Sequence, residues 1–383
     1  MITGNRMLNH ARYRHCGLVL TTILLVACSG GATTKPPVSS VPPTVSPAST
    51  AAIPVSTGTP LPMETPSLVS TDTLAGSGRV TLDAVGDIML GRTVGDQVLT
   101  KGPQVVFAGV QSILDAADIR VGNLECALTD LGTPAHKLYT LRAPPAAAKA
   151  LSLGKFDVVS LANNHAMDYG YEGLSDAQKT LGQAGIATVG AGANFDQAHT
   201  PVFLQRNGLR LAFLAYVDVP VERDGFDTRT WVASASQPGI AWADPDQIKA
   251  DVSAARLKAD LVIVLLHSGI EINTYLPNIS DNQRLEAHAA IDAGAALVIG
   301  SHPHFLQSIE RYHGGLIAYS LGNFVFDDYQ GVADATIILR VTLTRLGVQS
   351  YDTVPVLIEN GLPHVITANL APAIGTLIAP GNP

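Results

Sequence analysis

Asp157-Val-Val-Ser-Leu-Ala-Asn-Asn-His165 runs from an apolar strand pattern straight into two amides and an imidazole. Aliphatic residues that give way to Asn163, Asn164 and His165, then Asp168, Gly170 and Gly173, read as a parallel strand handing polar groups to the carboxyl edge of a sheet. Open α/β proteins keep their sites at that edge. Helical spacing over 171–182, closed by Gly185, completes a unit of strand, polar turn and helix.

The same order recurs on both sides of this stretch. Arg79-Val-Thr-Leu-Asp-Ala-Val-Gly-Asp87 predicts a first strand ending in Asp87, with a loop over 88–92 behind it. A helix is predicted over 105–116, then a strand over 118–122 that ends in Asn123-Leu-Glu125, then a short helix over 144–153. Asn207-Gly208, between apolar runs at 202–204 and 209–217, is a hairpin signal. The stretch 220–243 holds Trp231 and Trp242 and reads as a long loop, either bordering a cleft or pinned to the surface by its own aromatics. Asp244-Pro245 caps a helix reaching to position 258, and the apolar run 260–266 ends in His267. Ser280 opens a helix that stops near Gly294, with Glu286 and His288 expected on its solvated face. A strand over 295–299 ends in Gly300-Ser-His302-Pro-His304, and another over 316–319 leads to Asn323; further strands are expected at 335–343 and 354–358.

Five strands therefore end in Asp87, Glu125, Asn164/His165, His267 and His302/His304. Parallel strands joined by right-handed crossovers bring such ends together. Carboxylates, an amide oxygen and imidazoles, without a thiolate, suit Mn, Zn, Fe or Mg, and so many donors suit one or two ions. In His302-Pro303-His304, alternate residues of an extended backbone enforced by proline would project to one side. Asp168 reads as a helix N-cap in preference to a partner for His165, and Cys126 as a packing residue.

Composition bounds the classes. The 383 residues are 46% hydrophobic and 15% charged, which suits a packed α/β protein. A net charge of −8 gives no basic surface for a phosphate backbone, so no nucleic-acid partner is expected. Residues 1–27 read as a signal peptide: Arg6, Arg12 and Arg14 precede an apolar run over 17–27 that is too short to span a bilayer comfortably. Leu25-Val-Ala-Cys28 resembles the bacterial lipobox, so Cys28 is the expected lipidation site and the protein an exported, membrane-anchored lipoprotein at the cell surface. Cleavage removes three arginines and leaves 21 basic against 32 acidic residues, a charge of −11. Residues 28–78 read as a Pro/Ser/Thr-rich linker, with nine prolines between Ser29 and Gly78, leaving 79–383 as the folded domain. Cys126 then has no partner for a disulfide.

Gly86-Asp87, Gly122-Asn-Leu-Glu125, Asn163-Asn-His165, the strand-end His267 and Gly300-Ser-His-Pro-His304, in this order, resemble the CapA family of poly-γ-glutamate capsule biosynthesis proteins. That family is itself similar to the calcineurin-like metallophosphoesterases. The likeness covers 79–330, and Leu161-Ala-Asn-Asn-His-Ala-Met-Asp168 and Ser320-Leu-Gly-Asn-Phe-Val-Phe-Asp327 are its most specific parts. It implies an α/β fold in the four-layer α/β/β/α metallophosphoesterase-like arrangement. It also implies Asp87, Glu125, Asn164, His267, His302 and His304 as ligands of one or two divalent ions, and His165 as a general acid. Two positions depart from the pattern: Met89 stands where the metallophosphoesterase Asp-x-His has its histidine, and Glu125 replaces a bridging aspartate. Both fall on one metal, so one well-held ion with a weaker second is expected.

Arg92, Arg142, Asn123 and Asn323 are candidate substrate contacts. The resemblance implies a metal-dependent hydrolase in which metal-activated water attacks a carbonyl or phosphoryl centre while His165 protonates the leaving group. Its substrate would be the anionic polymer poly-γ-glutamate or a small molecule, with other capsule synthesis or export proteins as partners. Two alternatives stand beside it: a phosphomonoesterase or phosphodiesterase, and a non-catalytic component that binds or guides polymer during export.

Overall fold

The computed structural model describes residues 78–271, 278–327 and 331–366. The expected signal peptide, the lipidation site Cys28, the linker and the tail 367–383 lie outside the described residues. Two mixed sheets dominate the described domain. In the first, Arg79–Ile88, Ile119–Leu124, Val158–Ser160 and Ala187–Val189 run parallel in that spatial order. On its other side Arg79–Ile88 pairs antiparallel with Ala335–Thr344, which is followed outward by Gly347–Glu359 and Leu362–Val365. In the second, Leu209–Asp218, Leu261–Ser268, Leu297–Ser301 and Gly315–Ala318 are parallel neighbours, flanked by antiparallel edge strands Val202–Arg206 and Ile309–Tyr312.

The continuous apolar runs of the second sheet follow from burial on both faces. Leu211, Phe213 and Ala215, with Ile263 and Leu265, enter the core shared with the first sheet. Their neighbours Ala212, Leu214, Tyr216, Val262 and Val264 enter a separate core with Ile248 and Val252 of the helix Pro245–Arg256 and Ala287 and Ala290 of the helix Asp281–Asp292. Helices Ala148–Leu153 and Gly170–Gln183 contribute Ala150, Leu151, Leu174 and Leu181 to the first sheet's core. The result is the expected α/β/β/α layering. Strand alternation also divides the polar strand ends: His267 continues the inter-sheet face of Leu265, whereas Ser268 continues the helix-covered face.

Local signals account for most boundaries. Asn207 and Gly208 both have positive φ, 48° and 80°, as a two-residue hairpin turn requires. Asp244 caps Asp246 and Gln247, and Ser280 with Gln283 forms a reciprocal capping box. The stretch 105–116 departs from expectation: only Gln111–Leu114 is α-helical there, and the preceding helix is Arg92–Lys101. Its N-cap, Gly91, has no capping side chain. Thr93 instead donates its backbone N–H (2.9 Å) and hydroxyl (2.5 Å) to Asp327, 234 positions away. Tertiary structure supplies the cap that the local sequence lacks.

Glu286 corrects another expectation. It is 3% exposed, turned into the helix-covered core toward Asp218 and Ser268. Burial, and then the neighbouring Asp218 charge, pushes its carboxyl up to about 9. His288 is partly exposed, stacked on Tyr312 and 3.2 Å from the Glu310 carboxylate.

Candidate metal centre

The polar strand ends meet between the two sheets. Asp87, Glu125 and Asn164 come from the first sheet's parallel strands; His267 and the turn after Leu297–Ser301 come from the second. Close backbone approach makes this possible at two glycines. A Cβ on Gly86 would lie 1.8 Å from the Gly322 carbonyl oxygen, and one on Gly300 would lie 1.9 Å from that of Tyr319.

Asp87, Glu125 and His267 offer ligand atoms that all lie within 4.8 Å of one another, and all three residues are buried. His267 Nε2 is 2.9 Å from Asn164 Oδ1. His304 closes the group, its Nδ1 3.7 Å from Asp87 Oδ2 and its Nε2 3.8 Å from Glu125 Oε1. The His302 backbone N–H donates to Asp87 Oδ2 at 3.2 Å, and its ring centre lies 4.8 Å from that of His267. All six expected ligands are thus brought to one place. Their route differs from the expectation for His302 and His304: both have positive φ, 98° and 62°, so a turn, not an extended segment, presents them. Strained backbone of this kind costs on the order of 1–3 kcal/mol per residue and persists where the surroundings enforce it.

Unsatisfied groups decide whether the site fits a cation. Both Glu125 carboxyl oxygens and His302 Nδ1 are buried without a hydrogen-bond partner. Burial, and then the Asp87 charge, pushes the Glu125 carboxyl well above the usual carboxylate range. Burial holds His267 and His302 well below the usual imidazole range, which keeps them neutral and suited to ligation. A buried carboxyl that lacks partners beside neutral imidazoles is what a hard or borderline divalent cation relieves. The Asp87, Glu125 and His267 group fits such an ion, with Asn164, His302 and His304 beside it.

Around these donors lie groups that orient them. Asn123 Nδ2 donates to Asp87 Oδ1 at 2.8 Å and lies 3.1 Å from His267 Nδ1, which is also 2.9 Å from Ser301 Oγ. Asn323 Oδ1 is 2.8 Å from His304 Nδ1. Asn123 and Asn323, the expected substrate contacts, are both buried and bonded to candidate ligands. Asn163 takes the turn-stabilising role, accepting from the His165 backbone N–H at 3.0 Å.

Asp168 is not the N-cap of Gly170–Gln183: its Oδ2 lies 2.6 Å from His165 Nδ1, while His165 Nε2 reaches to 4.0 Å from Glu125 Oε1. Met89 is fully buried, and its sulfur accepts the Gly91 N–H at 3.1 Å. Arg92 pairs with Asp327 at 3.2 Å and lies 5.7 Å over the Phe326 ring, whose edge meets His304. It therefore stands next to the centre. Arg142 instead donates to the Thr129 and Leu131 carbonyls and covers Tyr169. Ser301 lies inside the Gly300–His304 motif without a role assigned there, and Lys137 is a neighbour that no motif announced. Cys126 is buried and free, its thiol pushed up to about 12 by burial, in keeping with packing.

Comparison with known proteins adds a family. Residues 81–328 match the family described as "Bacterial capsule synthesis protein PGA_cap". The chain is 36% identical over 300 residues to "Capsule biosynthesis protein CapA" of Bacillus anthracis, covering 76% of this chain and 71% of that protein. It is 35% identical over 282 residues to "PGA biosynthesis protein CapA" of Bacillus subtilis, covering 73% and 72%. Among solved structures, a phosphatase of Mycoplasma pneumoniae aligns over 73% of this chain and 94% of its own, with 11% identity and a TM-score of 0.45.

Proposed function

The chain belongs to the PGA_cap family of bacterial capsule synthesis proteins, and we propose that it is a divalent-metal-dependent hydrolase that cleaves the γ-amide of poly-γ-glutamate at the cell surface. The observation that carries this reading is Glu125, fully buried with two unpartnered carboxyl oxygens among Asp87 and His267. The residues that would hold the ion are Asp87, Glu125, Asn164, His267, His302 and His304. A divalent ion in such a site supplies Lewis acidity and acidifies bound water.

The protein's own groups supply the rest. Asp168 accepts from His165 Nδ1–H, leaving Nε2 on the Glu125 side to hold a proton and deliver it to the leaving amine. Asn123, Ser301 and Asn323 hold the imidazoles in place, so little reorganisation is needed during reaction. The guanidinium of Arg92 binds a glutamate carboxylate at the edge of the site. Anchoring through lipid on Cys28, with 28–78 as spacer, would hold this chemistry close to the membrane where other capsule proteins act.

The test combines metal analysis with substrate choice. The purified protein takes up Mn²⁺ or Zn²⁺ and shortens poly-γ-glutamate, and His165→Ala retains the metal but loses cleavage. Hydrolysis of phosphomonoesters or phosphodiesters without action on the polymer would replace the amide reading. Capsule formation restored as well by His165→Ala as by the wild type would replace catalysis altogether.

A further inference from the structure

The side chain of Lys137 is fully buried although it sits in an irregular segment. Three partners converge on its ammonium: it donates to Glu222 Oε1 at 2.5 Å and to the Asn164 carbonyl oxygen at 2.7 Å, and it forms an ion pair with Asp168 Oδ1 at 2.8 Å. The Phe226 and Trp231 rings stand 5.5 and 5.1 Å away, adding cation–π contacts. Two of the three partners belong to the turn that carries Asn164 and His165. The third comes from the Trp231-containing excursion, which also reaches the loop of Lys137 through a bond from the Leu138 N–H to Asp224.

We propose that Lys137 is a positioning residue of the metal centre, rather than an ordinary buried ion-pair partner. It holds Asp168, so that Oδ2 is left to the Leu141 N–H and to His165 Nδ1, both at 2.6 Å, which sets the ring plane and the tautomer of His165. It holds the Asn164 backbone, so that the Asn164 amide faces His267. Through Glu222 it fixes the excursion as one wall of the same site. A lysine ammonium is a compact point charge that sits among all three partners at once, whereas a planar guanidinium keeps the charge but presents a forked donor geometry that these partners do not match.

The idea rests on Asn164 and His165 being working parts of the site, and the experiment separates the two. Full-length protein with ¹⁵N-labelled histidine is compared with Lys137→Met, Lys137→Arg and, as a distant control, Arg340→Met, which breaks the buried pair with Asp83. His165 is identified by the signal missing in His165→Gln. In metal-free wild type, the His165 spectrum shows Nδ1–H held in a hydrogen bond to Asp168. Lys137→Met weakens that hydrogen-bonded Nδ1–H signal and lowers Mn²⁺ affinity, measured calorimetrically, about tenfold or more. Lys137→Arg, which retains the buried charge if the Met variant fails to fold, gives an intermediate spectrum and a loss of about threefold or more. Arg340→Met lowers the melting temperature and leaves both readouts unchanged.

A His165 spectrum and Mn²⁺ affinity equal to wild type in Lys137→Arg would overturn the proposal, as would a folded Lys137→Met with the wild-type spectrum. If the wild type takes up no Mn²⁺, the metal-centre reading fails on its own, and the Nδ1–H measurement still decides the role of Lys137.

Discussion

Replacing Glu286 by Gln is expected to stabilise the protein, and by an amount that depends on pH. The carboxyl lies in the helix-covered core, and burial together with Asp218 raises it from 4.5 to about 9. The folded state therefore keeps this proton up to about pH 9, whereas the unfolded chain releases it above 4.5. Since the folded state binds more protons across that window, wild-type stability falls as pH rises from 4.5 toward 9 and levels off beyond it. The slope is about 1.4 kcal/mol per pH unit, so about 3 kcal/mol has been lost by pH 7.

The amide introduced by Glu286→Gln has the shape of the protonated acid, keeps a donor toward Asp218, and has nothing to ionise. Denaturant unfolding at pH 5, 7 and 9 should show Glu286→Gln nearly equal to wild type at pH 5 and more stable by about 3 kcal/mol at pH 7, with a larger gap at pH 9. A gap that stays constant with pH, or a variant less stable than wild type at pH 7, would refute the reasoning.

Further expectations follow from the centre and its supports. Glu125→Gln removes a charge that burial disfavours, so the metal-free protein should melt at a higher temperature while Mn²⁺ affinity, by calorimetry, falls at least tenfold. Mn²⁺ at 100 times its dissociation constant should add about 2.7 kcal/mol to wild-type stability, reversed by chelator, and much less to Asp87→Asn. Asp327→Ala deprives the helix Arg92–Lys101 of its cap, a cost of about 1–2 kcal/mol in denaturant unfolding. Arg340→Met leaves the buried Asp83 carboxylate without the two 2.7 Å bonds that Arg340 makes to it, and should cost about 3–5 kcal/mol.

Much of this arrangement was legible because its signals are local. A strand buried on both faces is a continuous apolar run, and where it meets the site the run breaks into Asn, His, Asp or Glu within a few residues. That transition alone marks Asp87, Glu125, Asn164, His267 and the His302/His304 pair. What escaped depends on partners distant in the chain. The helix Arg92–Lys101 has its cap at position 327, so its own sequence carries no helix-start signal. Glu286 has the composition of a solvated face; only the packing of its helix onto Asp218 and Ser268 turns it inward. Asn123 and Asn323 look alike as exposed site amides and as internal braces, and the choice requires knowing what stands opposite. Lys137 lies in a segment without periodicity, and its meaning comes from three partners on two other segments.

That the ligands come from two different sheets bears on when the site can exist. Asp87 and His302, which meet through a backbone hydrogen bond, are separated by 215 positions, so neither sheet alone assembles more than part of the centre. Closing loops of that length precedes any reward from the contacts they bring. The centre is therefore a late product of folding, absent from any intermediate in which only one sheet has formed. An ion bound there acts as a rivet between the two sheets: it cannot stay while they part, so its occupancy should slow unfolding of both as a single cooperative unit.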